Sequence, residues 1–287
     1  MKKQSFLLDT DIGTDIDDAL ALIVLTACMQ NRPFAIVTTN GPVRIRAQVA
    51  ATLLHTLQHK NIPIFRGKSK SLSNTTPFTH GKESLGINKT LKTQKLVDLC
   101  HWFKEQNDRS ITLIVTAPLT TTAFLLKQPI LKKKITEVVL MGGSFPQRGI
   151  PQKEHNFAAD PVATRAVLNS GIPIYIVPLN VSVPHKLTGQ EIRTLNTKHP
   201  VLQTWIKAWL DTTQRFFGDD RIFRGKVFLH DPLTVAVALH KHQCKWEKRA
   251  TSVDSQGITQ VTNETNVHIC TSISSLLVAQ VKQILMK

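Results

Sequence analysis

Acidic residues are scarce in this chain: 20 Asp and Glu stand against 36 Lys and Arg over 287 residues, a formal net charge of +16. Such an excess bears on association and solubility and leaves the fold open. Nucleic acid, an anionic membrane surface or a plain basic exterior would each accommodate it. Cysteine is equally sparse, and Cys28, Cys100, Cys244 and Cys270 form neither a CxxC pair nor a dense framework. A reduced, cytoplasmic setting is therefore expected. With 13 Gly, 14 Pro and 41% hydrophobic residues, a collagen-like, linker-dominated or disordered chain is excluded. The longest apolar run, Ala19 to Leu25, falls far short of the ~20 residues of a membrane span. The opening residues reach Asp9 too soon to contain the apolar core of a signal peptide. No GxGxxG or GxxxxGK[ST] phosphate cradle occurs.

What is present is alternation. Phe6–Leu8 leads into a helical stretch over Asp17–Gln30, Phe34–Thr38 into Arg44–Gln58, and Ile111–Val115 into Leu119–Lys127. Ile62–Phe65 opens a loop, Val138–Met141 precedes a long loop and then Asp160–Asn169, and Ile174–Val177 precedes a more helical C-terminal part. Short buried runs followed by amphipathic stretches specify an α/β protein, a mainly parallel sheet covered by helices. No domain boundary is visible, so residues 1–287 are expected to form one domain. The basic, Ser-rich Arg66–Asn74 reads as a solvated loop, and Gln203–Phe217, with Trp205 and Trp209, as core or a subunit contact.

The few acids are concentrated where they cost most. Asp9, Asp11, Asp15, Asp17 and Asp18 follow one another within ten residues at a strand-to-helix turn. Like charges at this spacing raise one another's pKa unless a cation or hydrogen-bond donors offset them. Acids decorating a helix N-terminus would account for Asp15, Asp17 and Asp18. Asp9 and Asp11 close an apolar strand and need another reason, either a hard oxygen-binding cation such as Ca²⁺ or Mg²⁺ or a catalytic role. A haloacid-dehalogenase-like phosphatase, with the first Asp as nucleophile, fits these residues alone.

Later segments discriminate. Val138-Val-Leu-Met141-Gly-Gly143, Glu154-His-Asn156-Phe-Ala-Ala-Asp160-Pro161 and Leu229-His230-Asp231-Pro232, together with the acidic motif, resemble the inosine–uridine nucleoside hydrolase family. Weaker matches are Thr79-His80-Gly81 and Val115-Thr116-Ala-Pro118. The dehalogenase-like alternative does not explain these segments.

The resemblance implies a nucleoside hydrolase-like fold with its site at the carboxyl ends of the strands, holding one Ca²⁺. Asp11, Asp18, the Thr116 carbonyl and Asp231 would be its ligands, and Asp11 the base acting on a calcium-bound water. Asp17, Asn40, His80, Met141, Glu154 and Asn156 would bind substrate, and His230 would serve the leaving base as acid, its ordinary pKa lying near neutrality. The implied reaction is hydrolysis of the N-glycosidic bond of ribonucleosides to free base and ribose, by a cytoplasmic homodimer or homotetramer with no membrane contact. Nucleic acid is not required as a partner, and the basic charge does not exclude it.

The match has departures. The family motif DxDxGxDDA is lengthened here by two residues, so that anchoring on Asp-Asp-Ala selects Asp17, whereas anchoring on Gly13 selects Asp15. Asn40-Gly41 reverses the usual Gly-Asn order, and Arg148-Gly149 stands where a Gly-Asn pair commonly meets the 5′-hydroxyl. Phe216, Phe217 and Phe223 are candidates for stacking on the base, whereas the single tyrosine, Tyr175, falls in a strand. The alternative is an inactive hydrolase-fold protein that binds a nucleoside-like ligand or nucleic acid.

Overall fold

A computed structural model describes residues 4–29, 32–79, 81–145, 147, 149–150, 152–216 and 225–287. Among the described residues one eight-stranded sheet runs through the molecule. Its strands are β1 (Ser5–Thr10), β2 (Phe34–Thr38), β3 (Ile64–Arg66), β4 (Ile111–Val115), β5 (Ile135–Met141), β6 (Ile174–Val177), β7 (Cys244–Val253) and β8 (Thr259–Ile273). The spatial order is β3-β2-β1-β4-β5-β6-β8-β7, and every pairing is parallel except β7 with β8.

The central strands are apolar on both faces because helices cover both. Phe6 and Leu8 of β1 enter one core with Phe34, Ile36 and Ile114, while Leu7 enters the other with Ala35, Val37, Leu113 and Val115. This period of two is what a strand buried on both sides requires. The helices Asp17–Met29, His230–Leu239 and Ser275–Leu285 pack together over the first face. Thr120–Lys127 and Pro161–Leu168 pack together over the second.

After β1 the chain winds outward through β2 and β3 and then returns to place β4 on the other side of β1. This is a topological switch point, where the connections diverge and leave a crevice at the strands' carboxyl ends. Asp9, Asp11 and Thr116 lie at that crevice. At the opposite edge, where the strands begin, exposed Arg32, Lys60, Arg109 and Lys133 precede β2, β3, β4 and β5, and Asp108 pairs there with Lys133 and Lys134 at 3.8 and 3.0 Å. Arg109 N–H donates to the Lys133 carbonyl at 2.9 Å, so at least these two are neighbours.

One expectation holds with an addition and another needs correction. The part after Val177 is the more helical one, with helices at Gly189–Lys198, Pro200–Phe216, His230–Leu239 and Ser275–Leu285, and it also carries the long antiparallel β7–β8 hairpin that the apolar runs did not announce. Of Arg66–Asn74, Arg66 closes β3 and the rest is a loop that is not simply solvated: Ser71 is buried, and Asp160 accepts hydrogen bonds from the backbone of Leu72 (2.8 Å) and Ser73 (3.1 Å). Asp160 also accepts from the Ser73 and Thr120 hydroxyls at 2.7 and 2.6 Å, so one buried carboxylate fastens the loop to two helices.

Candidate active site

The acidic turn is built from two helix starts brought side by side. Asp17 and Asp18 occupy the first turn of one helix and Asp231 the first turn of another packed against it. Both positive dipole ends therefore face the carboxylates. One oxygen from each of these three residues lies within 4.8 Å of the other two, and all three side chains are buried. Asp18 accepts hydrogen bonds from the Thr10 hydroxyl and, at 3.1 Å, from the Thr116 hydroxyl. Asp15 is half-buried beside them and accepts the Asp17 N–H at 3.3 Å.

Electrostatically this is an unbalanced site. Burial, followed by repulsion from neighbouring acids, pushes Asp17, Asp18 and Asp231 well above the usual carboxylate range. Burial also raises Asp15 to about 7 and Asp9 to about 8. Asp9 Oδ2 accepts from the Thr122 hydroxyl at 2.8 Å, while Oδ1 has no hydrogen-bond partner among the described residues. Crowded, desolvated carboxylates of this kind are what a hard cation with oxygen ligands resolves.

Arg46 is a charged group in this region that sequence reasoning missed; Glu83, buried 3.5 Å from the Thr14 hydroxyl, is another. Fully buried, Arg46 reaches from the Val43–Thr56 helix beneath the acidic turn, its Nη2 lying 3.8 Å from Asp11 Oδ2. A signal was present, since Arg46 falls on the same helical stripe as Ala50 and Leu53, both in the core. Asn40 has φ 61°, and its Nδ2 is buried without a hydrogen-bond partner among the described residues.

On the other side of the crevice Glu154 caps the His155–Ala159 helix. Its carboxylate accepts from the backbone N–H groups of Asn156 (2.7 Å), Gly143 (2.9 Å) and Phe157 (3.0 Å). Burial raises its pKa against the pull of those bonds. Asn156 Nδ2 donates to the Met141 carbonyl at 3.2 Å, joining this helix to the end of β5. Glu154, Asn156 and Met141 thus form one local unit, in which Glu154 shapes the backbone. The Phe157 ring fills the space over Gly142 and Gly143, where an added Cβ would sit 2.3 and 2.9 Å from its atoms.

His230 is buried, stacks on Phe228 at 4.8 Å and pairs through Nδ1 with the Ser182 hydroxyl at 2.8 Å. The near-neutral pKa expected from its residue type does not hold. Burial, assisted by His185, lowers it to about 3, so the ring is neutral at pH 7. The Ser182 hydroxyl also faces the Pro178 and Leu179 carbonyls at 3.3 and 3.4 Å: donating to either, it accepts from Nδ1–H, and donating to Nδ1, it leaves the ring proton on Nε2 as the one N–H donor. His80, Arg148, Phe217 and Phe223 lie outside the described residues.

An α/β fold with a buried carboxylate cluster at its switch point defines a class of proteins that gather polar, metal-competent groups into a ligand site at the strand ends. Comparisons with known proteins narrow it. The family model of the inosine-uridine preferring nucleoside hydrolase matches residues 6–279, and the chain belongs to that family, whose members act on N-glycosyl compounds. A pyrimidine-specific ribonucleoside hydrolase of Shewanella sp. (strain ANA-3) is 30% identical over 247 residues, covering 82% of this chain and 77% of that protein. Uridine nucleosidase 1 of Arabidopsis thaliana is 24% identical over 279 residues, covering 90% and 80%. Among solved structures, a purine-preferring ribonucleoside hydrolase from Gardnerella vaginalis superposes with a TM-score of 0.81 at 20% identity, covering 99% of each chain.

Proposed function

We propose that this protein is a Ca²⁺-dependent nucleoside hydrolase that cleaves ribonucleosides to free base and ribose. The observation that carries this reading is the buried Asp17–Asp18–Asp231 cluster at the carboxyl end of the sheet; Asp11 is not one of the three mutually close carboxylates, but its charge acts on all of them. An all-oxygen donor set of carboxylates, completed by the Thr116 carbonyl, suits Ca²⁺ better than a softer metal. Asp11, Asp18, Asp231 and Thr116 would hold the ion, and the position of Asp17 supports a place for it beside them. When bound, the ion would supply charge compensation, acidify water and orient the ribose hydroxyls.

The chain's own groups divide the remaining work. Asp11 takes the proton of the attacking water. Asp17, Asn40 and Asn156 orient ribose hydroxyls, and the surrounding carboxylates stabilise the positive charge that grows on the sugar as the glycosidic bond lengthens. Met141 lines the sugar side, His80 belongs to the same pocket in this reading, and Glu154 fixes the loop beneath it. His230 relieves charge on the departing base as a neutral N–H donor, which needs no imidazolium.

The reading includes a single functional unit over residues 1–287, assembly as a dimer or tetramer, and a cytoplasmic setting in keeping with four unpaired cysteines. No helix among the described residues is long and apolar enough to cross a membrane. Incubation with purine and pyrimidine ribonucleosides in CaCl₂, with chromatography of the bases and a reducing-sugar assay, tests it. Release of base and ribose, abolished by Asp11→Ala, is expected. Absence of both products across the panel would reject the reading.

A further inference from the structure

We infer that Arg46 is a positioning residue for this reaction, fixing the Asp11 carboxylate relative to Asn40; the inference rests on the reading of Asp11 as base. Its guanidinium is 0% exposed and spans two turns that the sequence keeps apart. Nε donates to the Asn40 carbonyl at 2.7 Å, after β2. Nη1 donates to the Asp11 carbonyl and, at 3.2 Å each, to the Ile12 carbonyl and the Thr14 hydroxyl, after β1. Nη2 has no hydrogen-bond partner among the described residues and faces Asp11 Oδ2 at 3.8 Å.

Burying a guanidinium is costly unless it is paired and hydrogen-bonded, so simple packing does not account for Arg46. Four contacts to polar atoms of the two turns do, because they tie the carboxyl ends of β1 and β2 into one frame. The planar fork matters as much as the charge, since a lysine ammonium cannot reach both turns with fixed angles. The separation from Asp11 Oδ2 exceeds a hydrogen bond by less than 1 Å, and a small turn of the carboxylate would make a charge-assisted one. That contact commits one Asp11 oxygen to Arg46 and leaves the other for chemistry. Arg46 also holds the carbonyl of Asn40, whose own Nδ2 is without a hydrogen-bond partner among the described residues. It therefore sets the spacing between base and proposed sugar contact without touching substrate.

The test is a double-mutant cycle in the full chain with Arg46→Lys, Asp11→Asn and the two combined. It is read by kcat and KM on ribonucleosides and by Ca²⁺ affinity from titration calorimetry. Arg46→Lys keeps the charge and removes the fork. It is expected to lower kcat about 10–100-fold and weaken Ca²⁺ about tenfold, as loss of a ligand's supporting partner does. In the Asp11→Asn background it should change either quantity less than about threefold, because it acts through Asp11.

Thr14→Val, which removes one anchor of Nη1 and leaves Arg46 in place, should give a smaller loss with the same dependence on Asp11. It provides the cycle if Arg46→Lys does not fold. Losses that multiply in the double variant, or Arg46→Lys at wild-type kcat and Ca²⁺ affinity, would overturn the inference. An inactive wild type would instead sink the hydrolase reading, and the calcium cycle would still decide whether Arg46 positions Asp11.

Discussion

Gly257 lies in the turn between β7 and β8, far in sequence from the acidic motif, yet a single methyl there should reach the site. Its φ is +79°, and a Cβ would stand 2.4 Å from Ala158 Cα, 2.6 Å from the Phe157 carbonyl oxygen and 2.7 Å from Ala158 N. These are backbone atoms of the helix that carries Asn156, and no rotamer change can move them aside. The left-handed conformation costs a non-glycine residue about 1–2 kcal/mol. Forcing the helix away adds about 1–3 kcal/mol of overpacking. Gly257→Ala should therefore lose about 2–5 kcal/mol, or roughly 3–8 °C in Tm for a chain of this length. Gly171→Ala is the internal control: φ is +74° there, but nothing lies within 4 Å of the added Cβ, so only the conformational cost remains. Thermal and urea unfolding measure the difference, and KM for a ribonucleoside reports displacement of Asn156. If Gly257→Ala and Gly171→Ala unfold at the same temperature and KM is unchanged, the turn does not brace the Phe157–Ala158 backbone and the reasoning fails.

Burial holds the Asp9 carboxyl near 8 in the folded, metal-free chain against an ordinary 3.8, so the folded state carries the extra proton and loses stability as pH rises through that window. In EDTA, Asp9→Asn should remove roughly 3 kcal/mol of the stability lost between about pH 5.5 and pH 8; parallel pH profiles for the two proteins would contradict this. Chelation should abolish ribonucleoside cleavage and added Ca²⁺ restore it, while Asp18→Asn should raise the Ca²⁺ needed for half-activity at least about tenfold, read by calcium titration of the rate. Ser182→Ala removes the partner of His230 Nδ1. It should cut kcat about tenfold on natural nucleosides but much less on a nitrophenyl riboside, whose leaving group needs no proton donor; equal losses on both substrates would argue against a leaving-group role for His230.

Much of the parallel sheet was legible because its strands are short apolar runs buried on both faces, such as Phe6–Leu8 and Ile111–Val115, each followed by a helical period. The β7–β8 hairpin was not. Its strand Cys-Lys-Trp-Glu-Lys-Arg is an edge, largely exposed and charged, and carries little hydrophobic signal. Around the site, the acidic run could be read because its residue types are costly wherever they fall. Asp231 was reachable only through the family resemblance, since nothing local says that the start of a distant helix will meet Asp17 and Asp18. Arg46 was hidden for the opposite reason: its partners are mainly backbone carbonyls, which leave no mark in a sequence. The pKa of His230 likewise depends on how deeply the fold buries it, and no motif records depth.

All strands but β7 point the same way, and that common direction sorts charge as well as chain ends. Carboxylates collect where the strands finish, and Arg32, Lys60, Arg109 and Lys133 stand where they begin. These four side chains make the strand-start edge a cationic patch, offset in part where Asp108 pairs with Lys133 and Lys134, and it lies on the side of the sheet away from the crevice. An anionic surface that engages this patch at low salt would leave the substrate entrance open to solution.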